Sequence, residues 1–194
     1  MTATNLHFFS YLAAGLNATG FALYLGAQWR QRIKASPVNL FSSLLIVAGL
    51  FLSERALSST QASLSYAVGV AAVLASFLLS LRNPIRWVRS DAGLLLMGVA
   101  FLLTSVVWPK ETAVATSVYY FTNYISYISK LRAGACVEWW LPWAVWIFAA
   151  LCMLAGLTGQ SALSLLNPMT NLLCWSAVGW IAWRKQRPAP ALAS

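Results

Sequence analysis

The chain has 194 residues, 60% of them hydrophobic and 9% charged, with a mean hydropathy of +0.69. Soluble domains carry about 25% charged residues, so an ordinary water-soluble fold is excluded, and apolar runs long enough to cross about 30 Å of hydrocarbon as helices exclude a β-barrel. The formal net charge is +9, but the cations stand in short clusters between apolar runs, a pattern of membrane topology and not of nucleic-acid binding.

In chain order, apolar segments are read at 7–28, 39–53, 62–81, 92–108, 112–129, 139–157 and 162–183, each expected as a helix. The first opens on MTATNLHFF, which has no basic stretch and no small-residue cleavage site, so it is read as a span and not as a removable signal. The fifth, within ETAVATSVYYFTNYISYISK, is polar enough to be an external loop, and charge decides the matter. With seven spans and the N-terminus outside, all 13 Lys and Arg except Arg55 and Lys110 fall on the cytoplasmic side: Arg30, Arg32 and Lys34, then Arg82, Arg86 and Arg89, then Lys130 and Arg132, then Arg184, Lys185 and Arg187. Six spans leave no bias. The expectation is therefore an all-α integral membrane bundle of seven helices in a bacterial-type cytoplasmic (inner) membrane, with the C-terminus cytoplasmic. A fifth span carrying Thr116, Ser117, Tyr119, Tyr120, Asn123 and Tyr124 must then turn these groups into the bundle.

Phe21-x-x-Tyr24 and Phe121-x-x-Tyr124 are each followed eight residues later by arginine, Arg32 and Arg132, and QASLS at 61–65 resembles QSALS at 160–164. Spacings near 100 residues predict two parallel three-helix repeats, 1–90 and 111–187, joined by a linker helix at 91–110, with a short cytoplasmic tail at 188–194.

This three-plus-one-plus-three plan resembles the SWEET and PQ-loop group of membrane proteins. Lys130-Leu-Arg132 followed by Val137-Glu138-x-Trp140-Leu-x-Trp143 resembles the basic loop and sixth-helix opening of the PnuC-type vitamin transporters. The resemblance implies transport of nicotinamide riboside or a related solute. Ile147 stands where that family has an asparagine, and the proline-glutamine pair of the wider group is absent from both halves.

The carboxylates Glu54, Asp91, Glu111 and Glu138 all lie at span ends, and the single histidine is His7, so ion-coupled pumping has no expected buried relay. Glu138 reads as a favourable charge at the start of the sixth helix. The basic clusters read as the topology signal alone. No pattern points to a cofactor, a metal or an enzymatic reaction, and Cys152 and Cys174 lie within apolar runs where no disulfide is expected. Trp29, Trp87, Trp108, Trp180 and Trp183, and also Trp143, read as interfacial anchors.

Measured from the cytoplasmic ends at about 1.5 Å per residue, Asn123, Trp146 and Trp175 lie roughly 9 to 12 Å deep, and Tyr120, Asn17 and Asn171 roughly 14 to 18 Å. These six and Tyr124 are the candidate substrate-binding residues, against the alternative that they pack the core or hydrogen-bond between helices. Tryptophan and tyrosine faces stack on a heteroaromatic ring and favour a cationic one, and asparagine supplies donor and acceptor to hydroxyls or an amide. Pro168 in the last span is expected to kink or break it, as a gate or a plain bend.

The leading expectation is a small facilitative transporter, uncoupled, working by alternating access between the helix triplets. Its ligand is a small neutral or cationic heteroaromatic solute, vitamin-like or nucleoside-like, and its other partners are the lipid bilayer and possible further copies of itself. The rival is a non-transporting scaffold or accessory subunit whose tyrosine-rich fifth helix faces outward to a partner.

Overall fold

The computed structural model describes residues 3–56, 60–83, 88–109, 112–156 and 162–186. Arg86, Trp87, Lys110, Glu111, Arg187 and the tail 188–194 lie outside the described residues, as do the side chains of His7, Glu54, Arg55 and the matched segments 61–65 and 160–164. The elements among the described residues are seven helices: α1 (Ala3–Trp29), α2 (Pro37–Ala56), α3 (Thr60–Ser80), α4 (Arg89–Val107), α5 (Thr112–Arg132), α6 (Trp140–Gly156) and α7 (Ala162–Gln186). No strand occurs among the described residues beyond one isolated antiparallel bridge, Lys34 with Val137. Among the described residues one helix, Arg89–Val107, is long and apolar enough by itself to meet the composition of a membrane span; Pro37–Ser53, Ala67–Ser80 and Trp140–Gly156 are shorter apolar stretches.

Local chemistry sets the boundaries. Pro37 starts α2, and the Ser36 hydroxyl accepts the Asn39 N–H at 3.4 Å, a proline-led start with an N-cap. At the start of α4 the Asp91 carboxylate accepts the Val88 N–H at 3.1 Å, where the helix dipole favours an anion. α5 ends with Gly134 at φ 75°, where the Ala135 N–H reaches the Lys130 carbonyl and the Gly134 N–H reaches Leu131. α1 ends the same way with Gln31 at φ 58°, Arg32 on Ala27 and Gln31 on Gln28. Both are left-handed caps of the kind glycine favours, and Gln31 adopts it without glycine's freedom.

The helices close into a ring in the spatial order α1, α3, α2, α5, α7, α6 and back to α1, with α4 packed only on α2 and α5. Each contact on one side of the ring has a counterpart on the other: α1 with α3 as α5 with α7, α2 with α3 as α6 with α7, and α1 with α6 as α5 with α2. The bridge partners Lys34 and Val137 are 103 positions apart (137 minus 34), as are the capping residues Gln31 and Gly134. The two phenylalanines of the Phe-x-x-Tyr match do not share an environment: Phe21 packs inward on Trp146, whereas Phe121 is exposed. At the same spacing of 103 positions, Tyr24 is matched with Tyr127 and Phe21 with Tyr124.

The basic helix ends gather at one end of the bundle. There the Gln28 amide donates to the Ser76 carbonyl, the Lys185 ammonium to Leu131, and the Gln186 amide to the Glu138 carbonyl at 2.7 Å, while Arg82 lies over the Trp29 ring. Outward faces are apolar, with Leu96, Val99 and Leu103 on α4, Val114, Val118 and Ile125 on α5, and Phe148 and Leu151 on α6.

Candidate functional site

A cavity of about 620 Å³ occupies the centre of the ring, and six of its helices supply the wall. All seven residues singled out from the sequence line it: Asn17 on α1, Tyr120, Asn123 and Tyr124 on α5, Trp146 on α6, and Asn171 and Trp175 on α7. Their helical spacing explains the convergence. Tyr120, Asn123 and Tyr124 fall on one face of α5, and Asn167, Asn171 and Trp175 are one turn apart along α7.

One side of the wall is aromatic. Trp146 sits against Phe21 at 5.2 Å, Tyr24 at 5.4 Å, Trp143 at 5.1 Å and Trp175 at 5.9 Å between ring centroids. Its indole N–H donates to the Asn17 carbonyl at 3.4 Å, and the Trp175 indole donates to the Tyr124 hydroxyl at 2.9 Å. Tyr124 stacks on Tyr120 at 5.0 Å. Gly20 makes the α1 and α6 approach possible, because a Cβ there would run into the Trp146 indole.

The other side is amide-rich. Asn39 donates to the Asn123 side-chain oxygen at 2.9 Å and to its backbone oxygen at 3.0 Å, while Asn123 donates to the Ser43 hydroxyl at 3.0 Å. Both ends of the Asn123 amide are thus engaged in joining α2 to α5. Asn167 and Asn171 differ, since each keeps a buried side-chain oxygen with no hydrogen-bond partner beside the cavity. A buried, unpaired amide oxygen carries a desolvation cost that a ligand donor can relieve.

At the basic end a carboxylate lies directly behind the cavity wall. Glu138, in the loop before α6, is 3% exposed and accepts from the Tyr24 hydroxyl at 3.0 Å, from the Tyr127 hydroxyl, and from the Trp143 indole at 2.8 Å. Tyr24, Tyr127 and Trp143 also line the cavity. Burial, opposed only partly by these hydrogen bonds, pushes the Glu138 carboxyl up to about 7 from an ordinary 4.5.

Several expectations change here. Glu138 does not stand in the first turn of the sixth helix as a favourable charge: it precedes α6 and is a buried hub. Trp143 is not an interfacial anchor: it is buried, because its N–H meets that hub. Lys130 is not only a topology charge, since its ammonium is buried against Asp91 at 2.6 Å and also donates to Asn39 at 3.0 Å. α7 runs without a break through Pro168, which is buried and off the cavity wall, although its neighbour Asn167 is on it. Asn39 and Tyr127 were missed by sequence reasoning. Tyr127 sits three residues past Tyr124, on the face already assigned to the interior, and that spacing was a usable signal.

Comparison of the chain with protein-family models, with curated proteins and with solved structures found no match in any of the three.

Proposed function

We propose that the chain is a seven-span integral membrane transporter in which two parallel three-helix repeats, α1 to α3 and α5 to α7, enclose a solute site, with α4 as the linker. The paired contacts around the ring support the repeats, and the linker's position outside the ring suits a helix that only reverses chain direction. Apolar outward faces and the collection of basic residues at one end support insertion with that end in the cytoplasm.

The observation that carries the transport reading is the cavity itself, about 620 Å³ and walled by both halves. Its size lies within the range of about 300 to 1,000 Å³ typical of small-molecule sites. Indole and phenol faces beside unpartnered amide oxygens match a planar heteroaromatic solute bearing hydrogen-bond donors, vitamin-like or nucleoside-like, and cationic rings gain cation–π attraction. The outward face of α5 is Val114, Val118, Phe121 and Ile125, while Tyr119, Tyr124 and Tyr127 are buried. That orientation disfavours the scaffold reading, which needs the tyrosine face outside.

Uptake of labelled pyridine, pyridinium, thiazolium and nucleoside solutes into liposomes holding the purified chain tests this. Transport of at least one, lost in Trp146→Ala and Asn171→Ala variants that remain folded and monodisperse in detergent, is the expected result. No transport of any solute by the folded protein overturns it.

A further inference from the structure

Glu138 stands where the two halves of the ring meet. Its Oε1 accepts from Tyr24 of α1 and from Tyr127 of α5, the positionally equivalent tyrosines of the two halves, and its Oε2 accepts from Trp143 of α6. A fourth helix joins through Gln186 of α7, whose amide donates to the Glu138 backbone carbonyl at 2.7 Å. Next to it, Val137 pairs with Lys34 of the loop between α1 and α2, at 2.8 and 3.1 Å. Four helices, α1, α5, α6 and α7, and the loop between α1 and α2 are therefore tied within two residues of one carboxyl group.

Among the described residues no cation answers that carboxyl. Lys130 is committed to Asp91, the ion pair formed among the described residues, while Arg32 lies over the Trp139 ring at 5.8 Å and Lys185 is on the Leu131 and Arg132 carbonyls. The titratable groups that face Glu138 are Tyr24, Tyr127 and Cys136, all neutral acids near pH 7; burial pushes the Cys136 thiol up to about 11. A buried acid with neutral donors and no counter-charge is stable in its closed pocket when it carries its own proton, and ionises when water reaches it.

We infer that Glu138 is a proton-binding site that holds this end of the cavity shut: protonated while the end is closed, and ionised when the end opens to water. An indole N–H can only donate, so Oε2 stays an acceptor for Trp143 and the proton resides on Oε1. There one tyrosine hydroxyl turns to accept it while the other continues to donate. Opening separates α1 from α5, admits water, and returns the proton to the bulk at the basic end.

On the transporter reading, on which this step rests, the proton enters through the cavity while the opposite end is open, because Tyr24, Tyr127 and Trp143 touch both the cavity and Glu138. One proton then accompanies each solute toward the basic end. The expectation of uncoupled movement depended on there being no carboxylate inside the bundle, and Glu138 removes that premise.

The test uses the purified full chain in nanodiscs, without any solute. Infrared difference spectra between pH 5.5 and 8.5 should show a protonated carboxyl C=O band that disappears with a midpoint near 7. The band should be missing in Glu138→Gln and kept in Asp91→Asn. Tyr24→Phe and Tyr127→Phe each remove a donor to the carboxylate, and each should shift the midpoint upward, which keeps the test decisive if Glu138→Gln does not fold. Hydrogen exchange across 133–139, corrected for its intrinsic pH dependence, should rise above pH 7 in the wild type and stay flat in Glu138→Gln. A band that persists in Glu138→Gln, or a midpoint below pH 5, overturns the inference whatever uptake shows. A band that titrates as expected in a protein that moves no solute leaves the proton site standing and removes only the transporter reading.

Discussion

The Lys130 ammonium lies 2.6 Å from the Asp91 carboxylate, and both are buried where α5, α4 and α2 meet. Asn39 and Ser36 accept further hydrogen bonds from the ammonium at 3.0 and 3.3 Å, and the second carboxylate oxygen accepts the Val88 N–H. The pair is what fastens the outer helix α4 to the ring at its basic end.

Removing one partner leaves the other charge buried and uncompensated, at a cost of about 3–5 kcal/mol, whereas removing both together costs far less. Lys130→Met and Asp91→Leu should each lower the thermal midpoint of the purified protein strongly, and the double variant should recover much of the loss. Additive losses in that cycle would show that the two groups do not depend on each other.

Trp146 fills the space that Gly20 leaves open, so the α1 and α6 contact depends on the missing Cβ. Gly20→Ala forces the indole aside and should destabilise by about 1–3 kcal/mol, the usual cost of overpacking a tight site. Adding Trp146→Phe, a smaller ring in the same place, should restore part of the midpoint. If Gly20→Ala is neutral, the close approach does not exist in solution.

How far the sequence reached follows from what each residue's position encodes. Helix boundaries were legible because apolar runs end at charges and caps: α5 was read as 112–129 and spans Thr112–Arg132. Trp146, Trp175 and Asn171 reached the cavity because depth along a helix is fixed by rise per residue alone. Glu138 and Lys130 were misread for one reason: both lie at helix ends, where sequence places charge in solvent or headgroups, and only the closure of the ring buries them. The Phe-x-x-Tyr match, at 100 residues, pairs a Phe21 packed on Trp146 with an exposed Phe121, whereas the 103-residue spacing of the bridge between Lys34 and Val137 and of the caps Gln31 and Gly134 matches Phe21 with Tyr124 and Tyr24 with Tyr127, pairs that keep aromatic character and change identity.

Trp175 presents two things to the cavity, a ring face and an N–H that is spent on Tyr124. Trp175→Phe keeps a face and loses only the donor, so it should weaken uptake by no more than about tenfold, or about 1.4 kcal/mol. Trp175→Ala should abolish uptake. Tyr124→Phe leaves the buried indole N–H unpaired and should cost about 1–3 kcal/mol of stability. Equal transport by Trp175→Phe and Trp175→Ala would remove the ring face from the binding site.

Stability should also report on Glu138 directly. Burial raises its folded-state pKa from 4.5 to about 7, ahead of the lowering hydrogen bonds from Tyr127, Trp143 and Tyr24. An acid with a raised folded pKa contributes stability that is fully present below its unfolded pKa and is lost as pH rises through the folded one, so the loss falls between about pH 4.5 and about pH 7. A shift of this size corresponds to about 3 kcal/mol across that window. The thermal midpoint of the wild type in detergent should fall from pH 5 to about 7 and level off above it, while Glu138→Gln, which keeps the shape and cannot ionise, should hold a nearly constant midpoint from pH 5 to 8. Tyr24→Phe should carry the fall to higher pH, because it removes one of the donors that favour the carboxylate. A wild-type midpoint that is level from pH 5 to 8, or that rises, would mean that Glu138 ionises in the folded protein as readily as in water and that its pocket is already open to solvent.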